Sequence, residues 1–337
     1  MRILLTGGTG LLGSYTAVAL RDAGHDVRLL VRSPAKVETV YRPHDAEFGD
    51  VVAGDITDRG SIEAALDGCD AVVHAAAVTS VQRRRAAEVL ATNETGVRNV
   101  VGAALEAGLD PVVHISSVGA LFPPNTPLVG PDTEVASANS AYGRSKAAAE
   151  HYVRRLQAEG APVTIVYPGG IWGPHDPNLG PNLQAVVTNY EAGTPIVKGS
   201  GWSVVDVRDV ADLIAAAVTC DRGPGRYVLG GHSPDTDQLN RVLAEVGGRK
   251  VRRIPMPGGL LRGIGRFNDA LMRVVPLDLA ITGEGMQYLT RWPGSDDAAA
   301  LDLLGRDLRP LRDTVEDSVR WLVAAGHLDQ KYAPACA

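Results

Sequence analysis

The stretch Thr6-Gly7-Gly8-Thr9-Gly10-Leu11-Leu12-Gly13 connects a short apolar run, Ile3-Leu4-Leu5, to a segment with helical periodicity that stops at Gly24. It contains two overlapping patterns, Gly8-x-Gly10-x-x-Gly13 and Gly7-x-x-Gly10-x-x-Gly13. Glycines between a strand and a helix permit a tight turn and a close approach of the backbone to phosphate, which the helix N-terminus stabilises. The stretch therefore predicts a dinucleotide-binding turn rather than an ordinary turn.

Short apolar runs alternate with helical patterns through the first half of the chain. The runs lie at residues 3–5, 27–31, 51–54, 71–75, 112–115 and 163–166. They are apolar without alternation, as expected of parallel strands that are buried on both faces. This order predicts an α/β fold with a doubly wound parallel Rossmann sheet and a smaller mixed α/β C-terminal domain. We assign residues 1–167 and 203–219 to the dinucleotide-binding domain, and 168–202 and 220–329 to the substrate-binding domain.

Composition narrows the class of protein. The chain has 337 residues, 45% of them hydrophobic, which is enough for a large core. Its net charge of -6 gives no electrostatic argument for binding nucleic acid. The three cysteines have no metal or disulfide spacing, which favours a reducing compartment and no metal. No run is long enough for a signal peptide or a membrane span, so we expect a cytoplasmic protein without integral membrane association.

Tyr142 and Lys146 in the sequence Tyr-Gly-Arg-Ser-Lys indicate acid–base chemistry. On a helix over residues 141–156, a spacing of four places both side chains on one face. An ammonium beside a phenol lowers the phenol pKa from its model value of roughly 10. Such a phenol exchanges protons with a carbonyl or alcohol oxygen near neutral pH. Ser117, just after the apolar run 112–115, is expected at the same edge of the sheet.

The end of the second predicted strand indicates which cofactor binds. An acid at this point binds a ribose 2′-hydroxyl, whereas an arginine accommodates a 2′-phosphate. The chain has Arg32 there, with Lys36 four residues later and no acid between them. We therefore predict NADP (NADPH) in preference to NAD, which stays possible.

These motifs occur, together with others, in the order typical of the extended short-chain dehydrogenase/reductases. The further motifs are Gly54-Asp55-Ile56, His74-Ala75-Ala76-Ala77, Asn93-Glu94-Thr95-Gly96, Ser116-Ser117, the segment 167–174 and the segment 205–211. The sequence most resembles the dihydroflavonol 4-reductase-like branch of that superfamily, over about two-thirds of its length. Neighbouring branches contain 3β-hydroxysteroid dehydrogenases and sugar-nucleotide epimerases and dehydratases.

The resemblance implies a role for each matching residue. Ser117 holds a carbonyl oxygen, Tyr142 donates the proton, and Lys146 lowers the Tyr142 pKa and holds the cofactor ribose. Ser117, not Ser116, is the catalytic serine, and Ser116 faces the cofactor. The implied cofactor-binding residues are Gly7, Thr9, Gly10, Leu11, Leu12, Gly13, Arg32, Lys36, Asp55, Ile56, Ala75, Ala76, Ala77, Asn93, Ser116, Tyr142, Lys146, Pro168, Gly170 and Ile171. Asp55 also fits a helix cap, and the run Ala75-Ala76-Ala77 also fits tight core packing.

Two departures from the family pattern bear on the substrate. Tyr167 stands where many relatives have arginine, and Trp172 where they have tyrosine. Plant dihydroflavonol reductases carry a side-chain amide soon after the catalytic serine, where it holds substrate hydroxyls. This chain has Gly119-Ala120-Leu121-Phe122 there, which argues against a flavonoid substrate. The candidate substrate-facing residues are Thr79, Ser80, Leu121, Phe122, Trp172 and Trp202. Most are apolar, which favours a lipophilic ketone or alcohol, although any one of them could equally belong to the core.

Three functions are compatible with these residues. The first is NADPH-dependent reduction of a ketone or aldehyde, with the reverse oxidation of an alcohol. The second is a sugar-nucleotide epimerase or dehydratase, or a 3β-hydroxysteroid-type dehydrogenase, that uses NAD. The third is a dinucleotide-sensing regulator without turnover, which is disfavoured because the chain keeps Ser117, Tyr142 and Lys146.

The last third of the chain contains one further periodic segment. Apolar residues recur at helical spacing from Leu260 to Val275, with Arg262, Arg266 and Arg273 between them. This pattern predicts a helix packed on the second domain, or alternatively a lid or a membrane-facing entrance. The basic run 82–85 is interpreted as a solvated helix start. By analogy with relatives we expect a homodimer formed through the helices at 89–105 and 141–156.

Overall fold

A seven-stranded sheet, parallel throughout, forms the centre of the molecule. The structure is a computed structural model that describes residues 1–79, 85–137, 140–219, 223–272, 275 and 281–336. The strands of the sheet are β1 (Arg2–Thr6), β2 (Asp26–Val31), β3 (Val51–Ala53), β4 (Ala71–His74), β5 (Val112–Ile115), β6 (Val163–Pro168) and β10 (Arg226–Leu229). Their spatial order is β10-β6-β5-β4-β1-β2-β3, which confirms the predicted Rossmann sheet.

Helices cover both faces of this sheet. The helices are α1 (Leu11–Asp22), α2 (Val37–Tyr41), α3 (Arg59–Leu66), α4 (Ala86–Glu106), α5 (Ala141–Ala158), α6 (Pro181–Ala192), α7 (Val207–Thr219), α8 (Thr236–Gly247), α9 (Gly258–Leu271), α10 (Gly283–Arg291), α11 (Ala298–Leu304) and α12 (Leu311–Ala324). Along β1, Ile3 and Leu5 point into the core shared with α1, α2 and α7, whereas Leu4 points into the core shared with α3, α4 and α5. Because both faces are buried, the strands are apolar without alternation.

The seventh strand departs from the predicted division of the chain. Residues 220–329 were assigned to the second domain, yet β10 pairs in parallel with β6. Ala300 of α11 also packs into the core of the central sheet. Four residues beginning with an arginine give little local signal, and only the pairing with β6 makes them a strand. The rest of the predicted division stays a prediction.

The remaining elements form a smaller mixed assembly above the carboxyl edge of the sheet. Its short strands are β7 (Ile171–Trp172), β8 (Thr194–Ile196), β9 (Val205–Asp206) and β11 (Arg253–Pro255). They pair in parallel as β7 with β9 and β8 with β11. Helices α6, α8 and α12 share an apolar core that includes Trp172, Leu183, Leu239 and Val319. Helices α9 and α10 pack against each other beside this core.

Two details of the helices refine the predictions. Asp58 is the N-cap of α3, because its carboxylate accepts a hydrogen bond from the backbone N–H of Gly60. The helix predicted over 260–275 is α9, which ends at Leu271. Within the described ranges no helix is long and apolar enough to cross a membrane.

Candidate active site

A cavity of about 1350 Å³ lies along the carboxyl edge of the sheet, between the strand ends and helices α6, α9 and α10. It includes the crevice between β1 and β4, where the strand order reverses and ligands of this sheet type bind. Nearly all the residues predicted to bind a dinucleotide line it. They are Gly7, Thr9, Gly10, Leu11, Leu12, Gly13, Arg32, Lys36, Asp55, Ile56, Ala75, Ala76, Ala77, Ser116, Tyr142, Lys146, Pro168, Gly170 and Ile171.

The glycine loop leaves a cradle that side chains would fill. Gly7 has a φ of 81°, and a Cβ placed on it would lie 2.6 Å from the backbone nitrogen of Ala76. A Cβ on Gly13 would lie 2.1 Å from the carbonyl oxygen of Gly7. No side chain caps α1 at Gly10, so the first N–H groups of the helix are left for an anion. These features fit the pyrophosphate of a dinucleotide.

Two positively charged side chains, Arg32 and Lys36, lie on the cavity wall after β2. Arg32 follows β2 at the cavity wall and is exposed, and Lys36 lies one helical turn later. Neither side chain forms a hydrogen bond or an ion pair with another residue in the described ranges. Asp55 accepts hydrogen bonds from the backbone and hydroxyl of Thr57, which lower its pKa and fix the loop after β3. The cations are therefore available to an additional phosphate.

Asn93 was predicted to bind the cofactor, but it is buried away from the cavity. Its side-chain amide accepts from the backbone N–H of Val78 at 2.7 Å and donates to the carbonyl oxygen of Val78 at 3.1 Å. It also donates to Ser145 Oγ at 2.9 Å. Asn93 thus ties the loop after β4 to α5, and this correction gives it a structural role.

The predicted catalytic residues come together in the cavity wall. Ser117 caps the 3₁₀ turn Val118–Ala120, where its Oγ accepts from the backbone N–H of Gly119 at 3.0 Å. The same side chain lies close enough to Tyr142, in the first turn of α5, to act on its pKa. Lys146 follows one turn later, with Nζ 6.0 Å from the centroid of the Tyr142 ring. The serine and phenol hydroxyls can therefore contact one substrate oxygen.

The predicted direction of the Tyr142 pKa is wrong. Burial raises the Tyr142 pKa and outweighs the influence of the nearby Ser117 hydroxyl, which lowers it. Lys146 is itself affected, since burial lowers its pKa to about 8. Its Nζ donates to the carbonyl oxygen of Ile115 at 3.2 Å and not to the phenol. Tyr142 is therefore held as a neutral phenol, the form that donates a proton.

A buried carboxylate lies behind these residues. Glu150, one turn after Lys146 on α5, has 0% of its surface exposed. Its oxygens accept from Ser116 Oγ at 2.7 Å, from Arg154 Nε at 2.5 Å and from the Tyr167 hydroxyl at 2.5 Å. Tyr167 thus joins β6 to α5. Ser116 faces this network as well as the cavity.

Helix α10 brings residues to the site that no sequence motif indicated. Both oxygens of Glu284 accept hydrogen bonds from Ser140, the N-cap of α5, from its backbone N–H and its hydroxyl at 2.8 Å each. The charge of Glu284 acts to raise the Tyr142 pKa. Tyr288, one turn later, lines the cavity and stacks on Trp292 with ring centroids 5.0 Å apart. These residues lie far from Tyr142 in sequence, and only the fold unites them.

The predicted substrate-facing residues divide into two groups. Thr79 and Trp202 line the cavity, and Ser80 falls outside the described residues. Leu121, Phe122 and Trp172 do not line the cavity, because each is buried in a hydrophobic core. Leu121 and Phe122 lie in the core beneath α5 and α10. Trp172 lies in the core among α6, α8 and α12. Apolar residues suit a core as well as a pocket, so sequence could not separate these cases.

The Glu284 charge leads to a prediction for pH dependence. Replacing Glu284 with glutamine keeps the shape of the side chain but removes the charge that favours neutral Tyr142. The Tyr142 pKa falls, so carbonyl reduction is expected to lose its proton donor at a lower pH than in the wild type. The measurement is the pH profile of kcat for reduction, with Arg291→Gln as the control, since Arg291 is an exposed charge at the end of α10 and does not line the cavity. An unshifted basic limb in Glu284→Gln contradicts the prediction.

Comparison with known proteins agrees with this geometry. Residues 3–230 match the NAD dependent epimerase/dehydratase family. Sterol demethylase protein B of Methylococcus capsulatus is 31% identical over 81% of this chain and 83% of its own length. A putative dihydroflavonol 4-reductase of Synechocystis is 24% identical over 96% of this chain and 95% of its own. The crystal structure of gox2253 matches with a TM-score of 0.81 at 29% identity, covering 97% and 99% of the two chains.

The family match covers more than half of the chain, and the glycine cradle, Ser117, Tyr142 and Lys146 lie within it. The same motifs line one cavity, where a nicotinamide dinucleotide and a small substrate can meet. The chain belongs to the NAD-dependent epimerase/dehydratase family of extended short-chain dehydrogenase/reductases, in its dihydroflavonol reductase-like branch, and is an NAD(P)-dependent oxidoreductase.

Proposed function

We propose that the protein is an NADPH-dependent reductase of a lipophilic, uncharged ketone or aldehyde, which also catalyses the reverse oxidation of the alcohol. The observation that carries this proposal is the composition of the cavity beyond Tyr142. Apolar side chains there include Leu183, Trp202, Met272, Met286 and Leu289. They favour a substrate with little polar surface.

The charges on this part of the wall argue against a sugar nucleotide. Among the described lining residues from 168 onward there are three acids, Asp176, Asp269 and Glu284, and no lysine or arginine, whereas α5 contributes Arg144 close to Tyr142. The N-terminus of α6 also lines this wall, but the Asp176 carboxylate lies there and accepts from the Gly180 N–H at 2.6 Å, and acids repel a nucleoside diphosphate. The composition supports a neutral substrate, and the epimerase and dehydratase alternative is disfavoured.

The residues of the chain supply positioning and proton transfer. When bound, the reduced nicotinamide supplies the hydride that adds to the carbonyl carbon. Ser117 and Tyr142 hold the carbonyl oxygen, and Tyr142 donates its proton to that oxygen as the C–O double bond becomes a single bond. Lys146, Gly7 and Gly13 lie where the cofactor is expected, and Arg32 with Lys36 would hold a 2′-phosphate.

A second candidate is the oxidation of a sterol-like alcohol with NAD. It is favoured by the relative that is 31% identical, whose name refers to sterol demethylation. The apolar cavity suits this substrate class equally well. Cofactor preference separates the two candidates, because Arg32 and Lys36 have no role with NAD.

The test is a fluorescence titration of the purified protein with NADPH and NADH, followed by turnover assays on lipophilic ketones, hydroxysteroids and UDP-glucose. We expect tighter binding of NADPH and turnover of a ketone. Tighter binding of NADH with oxidation of a hydroxysteroid would support the second candidate. Turnover of UDP-glucose would overturn both. The homodimer, the cytoplasmic location and the cofactor role of each lining residue stay predictions.

Arg32 gives a specific prediction within this test. Arg32→Ala removes a charged donor from the expected 2′-phosphate position, which is expected to weaken NADPH binding by roughly 10- to 100-fold and to leave NADH binding almost unchanged. Arg42→Ala is the control, since Arg42 is an exposed arginine that pairs with Glu38 and does not line the cavity. Equal losses for both cofactors in Arg32→Ala would contradict the assignment.

A further inference from the structure

Exposed apolar side chains are concentrated at one place on the surface. Six large hydrophobic residues are exposed in the described part of the chain, and four of them lie on α9 or between α9 and α10. They are Leu260 (55% exposed), Phe267 (67%), Val275 (37%) and Ile281 (40%). Such a concentration on one helix and the segment that follows it indicates a contact surface.

The geometry of α9 holds these side chains outward. Leu260 and Phe267 are two turns apart, and Gly263 and Ala270 lie exposed on the same side. We call these four residues the α9 stripe. The opposite side of the helix is buried at Leu261, in a small core that it shares with residues of β8 and α10.

A close helix contact fixes this orientation. A Cβ placed on Gly265 would lie 2.7 Å from the carbonyl oxygen of Thr282 and 2.9 Å from the Cα of Gly283. The two backbones therefore meet at van der Waals distance on the inner side of α9. Rotating the helix to bury the stripe would break this contact.

The charged side chains beside the α9 stripe are positive. Arg266 is exposed next to Phe267 and forms no ion pair with any residue in the described ranges. Arg262, one turn earlier, donates to Thr290 Oγ1 at 2.9 Å. The one acid of the helix, Asp269, faces inward, where it accepts from the backbone N–H of Gly283 at 3.0 Å and lines the cavity. The outer face of α9 is thus apolar and basic on a chain whose net charge is -6.

We propose that the α9 stripe docks the protein on the surface of an anionic lipid bilayer. Leu260 and Phe267 enter the boundary between headgroups and acyl chains, and Arg266 contacts lipid phosphates. A helix of 14 residues is about 21 Å long, so it lies in the interface and does not span the bilayer.

Helix α9 also forms part of the cavity wall, which links docking on the bilayer to entry of the substrate. The same helix that carries the stripe contributes Asp269 to the cavity wall, and Met272 follows its last turn on that wall. A docked molecule therefore presents the cavity to the lipid phase, from which a lipophilic substrate enters. This step rests on the proposed function, whereas the docking itself rests only on the stripe and its charge.

The experiment is co-sedimentation of the full chain with vesicles of phosphatidylcholine, alone or mixed with phosphatidylglycerol, without cofactor or substrate. The wild type is expected to bind the mixed vesicles more strongly. Leu260→Ser/Phe267→Ser is expected to lower the partition coefficient by at least about tenfold. Leu128→Ser is the control, since Leu128 is 44% exposed outside the stripe. Arg266→Ser is expected to reduce the preference for phosphatidylglycerol.

Three results would overturn the docking: no binding of the wild type, equal binding of the double variant, or a dimer that only the double variant abolishes. The last result would assign the stripe to a second copy of the chain. Unchanged thermal unfolding shows that each variant is folded. Because these measurements contain no nicotinamide, they can fail while the reductase assays succeed, and the reverse also holds.

Discussion

Replacing Tyr142 with phenylalanine is expected to lower kcat for carbonyl reduction by about 10²–10⁴-fold, the range typical of a lost general acid. The ring stays in the first turn of α5, but the hydroxyl that lies beside Ser117 and donates the proton is gone. Affinity for NADPH is expected to stay nearly unchanged, because phenylalanine fills the same space. The measurements are steady-state turnover and a fluorescence titration with NADPH.

A second tyrosine on the same helix provides the control. Tyr152 lies outside the cavity, and the guanidinium of Arg98 lies 4.8 Å from the centroid of its ring. Tyr152→Phe is expected to keep full activity. Full activity in Tyr142→Phe would refute the mechanism, and a loss of NADPH binding in that variant would show that the phenol acts through the cofactor site.

Replacing Glu150 with alanine is expected to destabilise the protein by about 3–5 kcal/mol, the cost of breaking a buried ion pair by removing one partner. The Arg154 side chain is only 15% exposed, and it would lose its carboxylate. The hydroxyls of Ser116 and Tyr167 would lose their acceptor in the same step. The measurement is the free energy of unfolding from urea denaturation.

One further variant separates the charge of Glu150 from its hydrogen bonds, and a second serves as an exposed control. Glu150→Gln keeps an acceptor and the volume of the side chain, so a smaller loss is expected. Glu159→Ala removes an acid from an exposed pair with Arg155 at the end of α5, where about 1 kcal/mol or less is expected. A loss in Glu150→Ala no larger than in Glu159→Ala would contradict the network.

Glu150 also has an expected effect on activity. Its charge favours the ammonium form of Lys146, against burial, which lowers the Lys146 pKa to about 8. Without Glu150 the Lys146 pKa falls further, so Lys146 loses its charge at a lower pH. The basic limb of the kcat profile is expected to move to lower pH in Glu150→Gln, in which the fold is retained.

Local chemistry made part of the site predictable. Gly7 is required by its positive φ, and both Gly7 and Gly13 are required by close backbone contacts that any Cβ would violate, so the glycine pattern identified the loop. The structure also separates the two patterns: Gly8 lies beneath Tyr41, whose hydroxyl donates to the Gly8 carbonyl oxygen at 2.7 Å, and it does not line the cavity. The spacing of Tyr142 and Lys146 placed both on one helix face in the same way.

The other features of the site depend on contacts between segments that are distant in sequence, so the sequence did not predict them. Phe122 and Trp172 are apolar residues next to motifs, and sequence does not show whether such a residue faces a cavity or a core. Glu284 and Tyr288 reach the cavity wall only because α10 packs over the start of α5. The Tyr142 pKa depends on burial, which is a property of the folded chain.

The sequence by itself determined the Rossmann sheet, the glycine cradle, the serine, tyrosine and lysine of the site, and the two cations at Arg32 and Lys36. Each of these depends on residue type at short spacing, where backbone geometry sets the outcome. The tertiary structure alone decided the seventh strand, the acidic and apolar wall contributed by α9 and α10, the Glu150 network and the direction of the Tyr142 pKa. These depend on which distant segments pack together and exclude water, and no local pattern encodes that.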